Sequence, residues 1–223
     1  MEWKGWSPGA FPAIVVGMDE IHYEQMRQAV SRWTEIPDDA WAMMKSVFRP
    51  VRLARREFVL KPGDPPSHVV FVCSGLLRYF SAGPDAPAAT KVFLAEDSFT
   101  NPIVECTLSY DAECGIQALE PSVLLVADAV RFNTLYDRHP VFDRLGRKLG
   151  EWWLGQKEAR ALAFQQQDAK ERYETFVRRD PNLVQRVSQI HLASYLGITE
   201  VSLSRIRRQL ARPVRARKAA ARV

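Results

Sequence analysis

Between His191 and Leu210 the chain reads HLASYLGITEVSLSRIRRQL. Thr199, Ser202, Ser204, Arg205 and Arg208, all within ten residues, carry groups suited to phosphates or base edges. An Arg guanidinium can donate two hydrogen bonds to guanine in the major groove; Ser and Thr hydroxyls suit phosphate oxygens or bases. Residues 201–223 hold Arg205, Arg207, Arg208, Arg212, Arg215, Arg217, Lys218 and Arg222 and no acid, a charge of +8. The whole chain is +5, so residues 1–200 carry −3 (+5 minus +8). Charge segregated in this way points to a polyanionic partner, although a solvated basic tail would have the same composition.

For these side chains to act together the backbone must form two short helices around a tight bend. Ser188 is placed to cap a helix through Ile190, Leu192 and Leu196. Ala193 is small where two helices would approach, and Gly197 permits a bend with positive φ. Thr199 would cap the next helix, whose apolar residues Val201, Leu203, Ile206 and Leu210 leave Ser202, Ser204, Arg205 and Arg208 to other faces. This predicts a helix-turn-helix with a C-terminal recognition helix. The competing reading is an αα-hairpin with an incidentally basic face; the small-residue-to-glycine spacing, both caps and the charge asymmetry agree on DNA. Pro213 is expected to end the second helix and leave ARPVRARKAAARV as a flexible arm on phosphates.

Upstream, Phe142, Leu145, Leu149, Trp152, Gln156, Ala159 and Ala163 follow alternating steps of three and four. This heptad seam predicts a helix over 138–166 that pairs with its twin in a homodimer through Leu145, Leu149, Trp152, Gln156 and Ala159. Gln156 would fix register there; packing of the helix on its own domain is the alternative. Asp168 with Glu171 three residues later is a capping-box signature. A new helix should therefore run over 168–179 and stop before Asp180-Pro181, with 164–168 a candidate hinge.

From Arg49 to Ala129 the runs EFVL, HVVFVC, LLRYFS, TKVFLA, CGIQAL and VLLVA are separated by turn signals such as Pro62-Gly63-Asp64 and Gly83-Pro84-Asp85. Strands at intervals of about eight to twelve residues predict a sandwich or barrel, here a jelly roll. Before them, DEIHYEQMRQAVSRW has Ile21, Met26 and Val30 as a thin apolar face, and IPDDAWAMMKSVF opens on Pro37 and two acids; both predict helices. The fold class is therefore α+β. A helical extension covers 1–34, a β-roll (jelly roll) 35–137, a long dimerisation helix with hinge 138–167, and a helix-turn-helix with basic tail 168–223.

A hydrophobic fraction of 47% and an aromatic fraction of 10% belong to a folded globular chain. No apolar run approaches the roughly 20 residues of a membrane span, and Pro8 and Pro12 interrupt the N-terminal apolar patch. A cytoplasmic location without membrane contact is expected. Cys73, Cys106 and Cys114 form no CxxC pair, so they read as small buried hydrophobes, with a Cys106–Cys114 redox pair as the alternative. His68, read as a turn residue, has no HxH partner, so no metal site, no catalytic residue and no enzyme activity are expected.

The stretch KERYETFVRRDPNLVQRVSQ followed by HLASYLGITEVSLSRIRRQL resembles the DNA-binding end of the Crp–Fnr family of bacterial transcription regulators. LKPGD, VCSGLLRYF and GIQALEPSVLLVA resemble its cyclic-nucleotide-binding β-roll, so the resemblance spans residues 35–210. It implies a roll, a dimerisation helix and a helix-turn-helix in that order. The partners it implies are double-stranded DNA, a second copy of the chain, RNA polymerase and a small-molecule effector. In nucleotide-binding members a Phe-Gly-Glu turn holds the ribose, and the Arg of an Arg-Ser/Thr-Ala stretch neutralises the cyclic phosphate. The matching residues here are Phe99-Thr100-Asn101 and Ala112-Glu113-Cys114. Without that Arg a buried phosphate has no charge partner and Glu113 repels it, so cyclic AMP in the usual mode is not expected.

The resemblance thus implies an effector pocket of Phe99, Thr100, Asn101, Ala112 and Glu113 with an unknown ligand. It implies no iron–sulfur cluster, for which the cysteines are wrongly spaced, and no haem, for which His68 is no axial ligand. Arg205 matches the family's base-reading Arg and Ser204 the residue before it, while Val201 stands where relatives often place a Glu. The reading is a dimeric, sequence-specific regulator. Its alternatives are an effector-independent DNA-binding scaffold or architectural protein, and a redox-responsive regulator using Cys106 and Cys114.

Overall fold

The computed structural model describes residues 19–64, 66–82, 87–100 and 113–220, without the side chains of Asp19, Glu113 and residues 212–220. By packing, the chain divides into two units, residues 1–156 and 157–223.

In the first unit, helices α1 (Asp19–Ser31) and α2 (Asp38–Val47) precede the strands β1 (Phe48–Leu53), β2 (Phe58–Leu60), β3 (His68–Ser74) and β4 (Leu77–Ala82). β5 (Ala89–Leu94), β6 (Phe99–Thr100), β7 (Glu113–Ala118) and β8 (Ser122–Asp128) follow, then α3 (Ala129–Asn133) and the long α4 (Pro140–Gln166). The strands form two antiparallel sheets, ordered β1-β8-β3-β6 and β2-β7-β4-β5, which is a jelly roll. Val70 and Val72 of β3 and Leu124 and Val126 of β8 lie between the sheets with Leu77, Tyr79, Leu94 and Ile116. The alternate residues Val69, Phe71, Cys73, Leu125 and Ala127 belong to a second core shared with the helices. Burial on both faces is why HVVFVC is an unbroken apolar run.

Several expectations need correction. β1 was not foreseen because it contains Pro50 and two arginines; it is an edge strand, where a missing N–H costs no ladder bond. His68 is not in a turn but opens β3 opposite Asp128. Burial pushes its pKa down, against the pull of the Asp128 carboxylate. Ile21 is exposed, and the buried face of α1 is Tyr23, Met26, Ala29 and Val30. At the β3–β4 turn Gly75 has φ +98°, and a Cβ there would sit 2.2 Å from Ser122 Oγ.

Pro140 opens α4, where its missing N–H has no helical partner to lose. Phe142 and Leu145 of the heptad seam are buried in the core shared with α1, α2 and α3. Leu145, only 2% exposed, is therefore a core residue of its own chain and not a dimer contact. A 3–4 period marks a buried face without saying what buries it. Further along the seam Leu149 is half-buried against the same core, Gln156 is half-buried, and Trp152 and Ala159 are exposed.

The second unit holds the end of α4, then α5 (Ala169–Arg179), α6 (Leu183–Arg186), α7 (Gln189–Leu196) and α8 (Glu200–Ala220). Asp168 Oδ1 accepts the Glu171 N–H at 2.8 Å and Glu171 Oε2 accepts the Asp168 N–H at 2.8 Å, completing the capping box. Asp168→Ala should lower the stability of this unit by about 0.5–2 kcal/mol. Urea unfolding followed by helical circular dichroism checks this, and an unchanged midpoint would count against the box. α8 does not stop at Pro213. It runs to Ala220, losing one backbone hydrogen bond at the proline, in a segment otherwise rich in Ala and Arg, good helix formers. The basic segment expected as a free arm is thus helical as far as Ala220.

Candidate nucleic-acid interface

Leu192, Ala193 and Leu196 of α7, and Leu203 and Ile206 of α8, are buried where the two helices pack. Ser188 occupies the N-cap position of α7 but makes no capping hydrogen bond, contrary to expectation. Instead Gln189 Nε2 donates to the Glu200 carbonyl at 3.0 Å, tying the start of α7 to the start of α8. Gly197 closes α7 in the left-handed region (φ +68°), and the Ile198 N–H donates back to the Ala193 carbonyl at 3.0 Å. Thr199 Oγ1 accepts the Ser202 N–H at 3.2 Å and lies 3.0 Å from Ser202 Oγ, so both hydroxyls hold the first turn of α8.

Ser204, Arg205 and Arg208 are exposed and make no hydrogen bond or ion pair among the described residues. Val201, read as core-facing, is 60% exposed. Its spacing to Arg205 and Arg208 (i, i+4, i+7) places all three on one stripe of the helix, and that spacing was the clue in the sequence. A branched apolar side chain there suits a thymine methyl. Arg207 is different: its Nε donates to Tyr173 Oη at 3.3 Å and its guanidinium lies 5.7 Å from that ring.

A second group of residues, not foreseen, fixes α7. Arg160 lies between the rings of Phe164 and Tyr195, 4.7 and 4.3 Å from their centroids, and donates to the Tyr195 carbonyl at 2.8 Å. Arg172 lies 4.6 Å from the Phe164 centroid and donates to the Leu196 carbonyl at 3.3 and 3.2 Å. Two cations on the last carbonyls of α7 oppose their partial negative charge. Within the segment expected as a hinge, 164–168, Phe164 reaches Gly197 at the end of α7; the division between units falls after Gln156.

No family model matches the sequence, and no curated protein sequence does. Solved structures do. FixK2 from Bradyrhizobium japonicum is 17% identical, with a TM-score of 0.64, over 75% of this chain and 86% of that one. The c-di-GMP responsive global regulator CLP of Xanthomonas campestris is 17% identical, with a TM-score of 0.60, over 79% and 93%. A transcriptional regulator of the Crp/Fnr family from Eubacterium rectale is 12% identical, with a TM-score of 0.63, over 82% and 88%. The chain has the Crp–Fnr fold.

Of the pocket residues taken from the resemblance, the structure describes the side chains of Phe99 and Thr100. Phe99 packs on Phe71, 4.7 Å between centroids, in the core shared with the helices and not between the sheets, which corrects its place inside the roll. Thr100 is buried and pairs with Val70 on β3. Asn101, Ala112, Cys106 and the Glu113 side chain lie outside the described residues. Between the sheets, the buried Cys114 Sγ accepts from Tyr79 Oη at 3.3 Å and from Lys91 Nζ at 3.8 Å. Burial pushes the Cys73 thiol up to about 12, which makes it unreactive. Among the described residues no cluster of His, Cys, Asp and Glu could hold a metal, and no helix is long and apolar enough to cross a membrane.

Proposed function

We propose that the chain is a cytoplasmic, dimeric, sequence-specific transcription regulator that reads double-stranded DNA with α8 and works with RNA polymerase. A small molecule other than conventionally bound cyclic AMP controls it. The observation that carries the DNA reading is the row Val201, Ser204, Arg205 and Arg208. These four are exposed on one side of α8, while Thr199, Ser202 and Arg207 beside them hold the helix in place. The +8 charge of residues 201–223 supports it through phosphate attraction. Pairing of two copies is supported by the large apolar side chains that α4 leaves exposed, Trp152, Leu154, Leu162 and Phe164. Gating by a small molecule is supported by CLP, a c-di-GMP responsive regulator of similar fold.

Selection of duplexes from a random pool by the full-length protein tests this. A near-palindrome should be enriched, with half-sites roughly one helical turn, about 34 Å, apart. Recovery of duplexes with no common motif would retire the reading.

A further inference from the structure

Tyr195, near the end of α7, gathers groups from two other helices of the second unit. Phe176 of α5 lies 5.4 Å from it between ring centroids, and Arg179 Nη2 donates to its hydroxyl at 3.2 Å. From α4 comes Arg160, whose guanidinium sits 4.3 Å from the Tyr195 centroid and donates to the Tyr195 carbonyl at 2.8 Å. The same guanidinium is 4.7 Å from the centroid of Phe164, and a Cβ at Gly197 would stand 2.7 Å from that ring.

The two attachments of α7 differ in kind. Tyr173 and Phe176 of α5 are buried, as are Leu192, Ala193 and Leu196 of α7 and Leu203 and Ile206 of α8, so these three helices have an apolar core. The buried side chains of α4 are Val141, Phe142 and Leu145, all in the first unit. Its last turns bring no fully buried side chain to α7 and meet it through Arg160 and Phe164. A planar cation held between two rings and bonded to a helix-terminal carbonyl fixes angle as well as distance, which a flexible ammonium does not.

That angle has a use in the reading above, on which this inference rests. There α4 pairs the two copies and each α8 enters one half-site. The separation and twist of the two recognition helices are then set where α4 meets α7. Moving a half-site by one base pair shifts it about 3.4 Å along the DNA axis and turns it about 35°. A preorganised contact tolerates roughly 10–20°.

We infer that Arg160 is a positioning residue that sets the half-site spacing the dimer accepts, with Phe164 as its support. It touches no base and acts by holding α7, and through it α8, at a fixed angle to the end of α4.

The experiment measures binding of the full-length protein to the selected operator, to the same operator lengthened by one base pair at its centre, to an isolated half-site and to scrambled DNA. Wild-type protein should bind the lengthened operator at least about tenfold more weakly than the operator. Arg160→Ala should lose less than about threefold between those two and bind the half-site within about twofold of wild type. Its melting temperature should fall by no more than a few degrees, since Arg160 is only half-buried. Arg160→Lys keeps the charge and loses the flat stack, so it should relax the spacing in the same way, and it decides the matter should the alanine variant not fold. Three results would each overturn the inference: a wild type indifferent to spacing, variants as strict about spacing as wild type, or a loss on the half-site as large as that on the operator. A wild type that binds operator and scrambled DNA alike would instead show that the DNA reading itself has failed, and the inference with it.

Discussion

Arg205→Ala is expected to cost about 1–3 kcal/mol per half-site on the selected operator, so about 2–6 kcal/mol for a dimer on two half-sites, and to read the contacted base poorly. The residue is exposed and makes no hydrogen bond or ion pair among the described residues, so its removal takes away little that holds the fold. On scrambled DNA the same change should cost little. Neutralising Arg215, Arg217 and Lys218 should behave in the opposite way. It should weaken operator and scrambled DNA alike and reduce the slope of affinity against salt by about one unit per lost phosphate contact. Salt titrations of both variants on both DNAs separate the two roles. If Arg205→Ala weakens both DNAs equally, α8 is a basic surface and not a reader.

Gly197→Val should be the most damaging single change in the second unit. The residue sits at φ +68°, which a β-branched side chain adopts only at a cost of about 1–3 kcal/mol. Its new Cβ would also stand 2.7 Å from Phe164 Cε1, a ring held by the Arg160 and Arg172 guanidiniums and unable to swing away cheaply. Overpacking of that kind adds about 1–3 kcal/mol, for a total of about 2–6 kcal/mol. Hydrogen exchange of the α7 and α8 amides measures it directly. Adding Phe164→Ala should recover the steric part and leave the backbone part, so the two changes should be non-additive by more than about 0.5 kcal/mol. Simple additivity would show that ring and glycine do not meet.

How much of this was legible in the sequence depended on whether a local rule had one meaning. Gly197, Thr199 and the Asp168–Glu171 pair announced their turns and caps because each serves a specific backbone need. Most of the strands were visible from β-rich runs set between turn dipeptides. β1 was not, because Pro50 argues against a strand unless one knows that the strand is an edge. α3 was missed although Asp128 caps it at the Arg131 N–H, 2.9 Å away, since five residues are too few to set up a period. The heptad seam misled at Leu145 because a partner chain and the chain's own core ask for the same spacing. Val201 misled in the other direction, an apolar residue on the exposed stripe of α8. The Arg160–Phe164–Arg172–Tyr195 arrangement was out of reach, since stacking between cations and rings leaves no period in the sequence.

The double burial of β3 also bears on how the chain comes through its own synthesis. Val69, Phe71 and Cys73 share their core with α1 and α2, and both helices leave the ribosome before β3 does. The part of the cover that α1 and α2 supply is therefore made before the strip, and α3 and α4 complete it afterwards. An apolar, uncharged β-segment of this length would otherwise pair with its like on neighbouring chains. A version shortened to begin at β1 should lose solubility first, while its roll can still form.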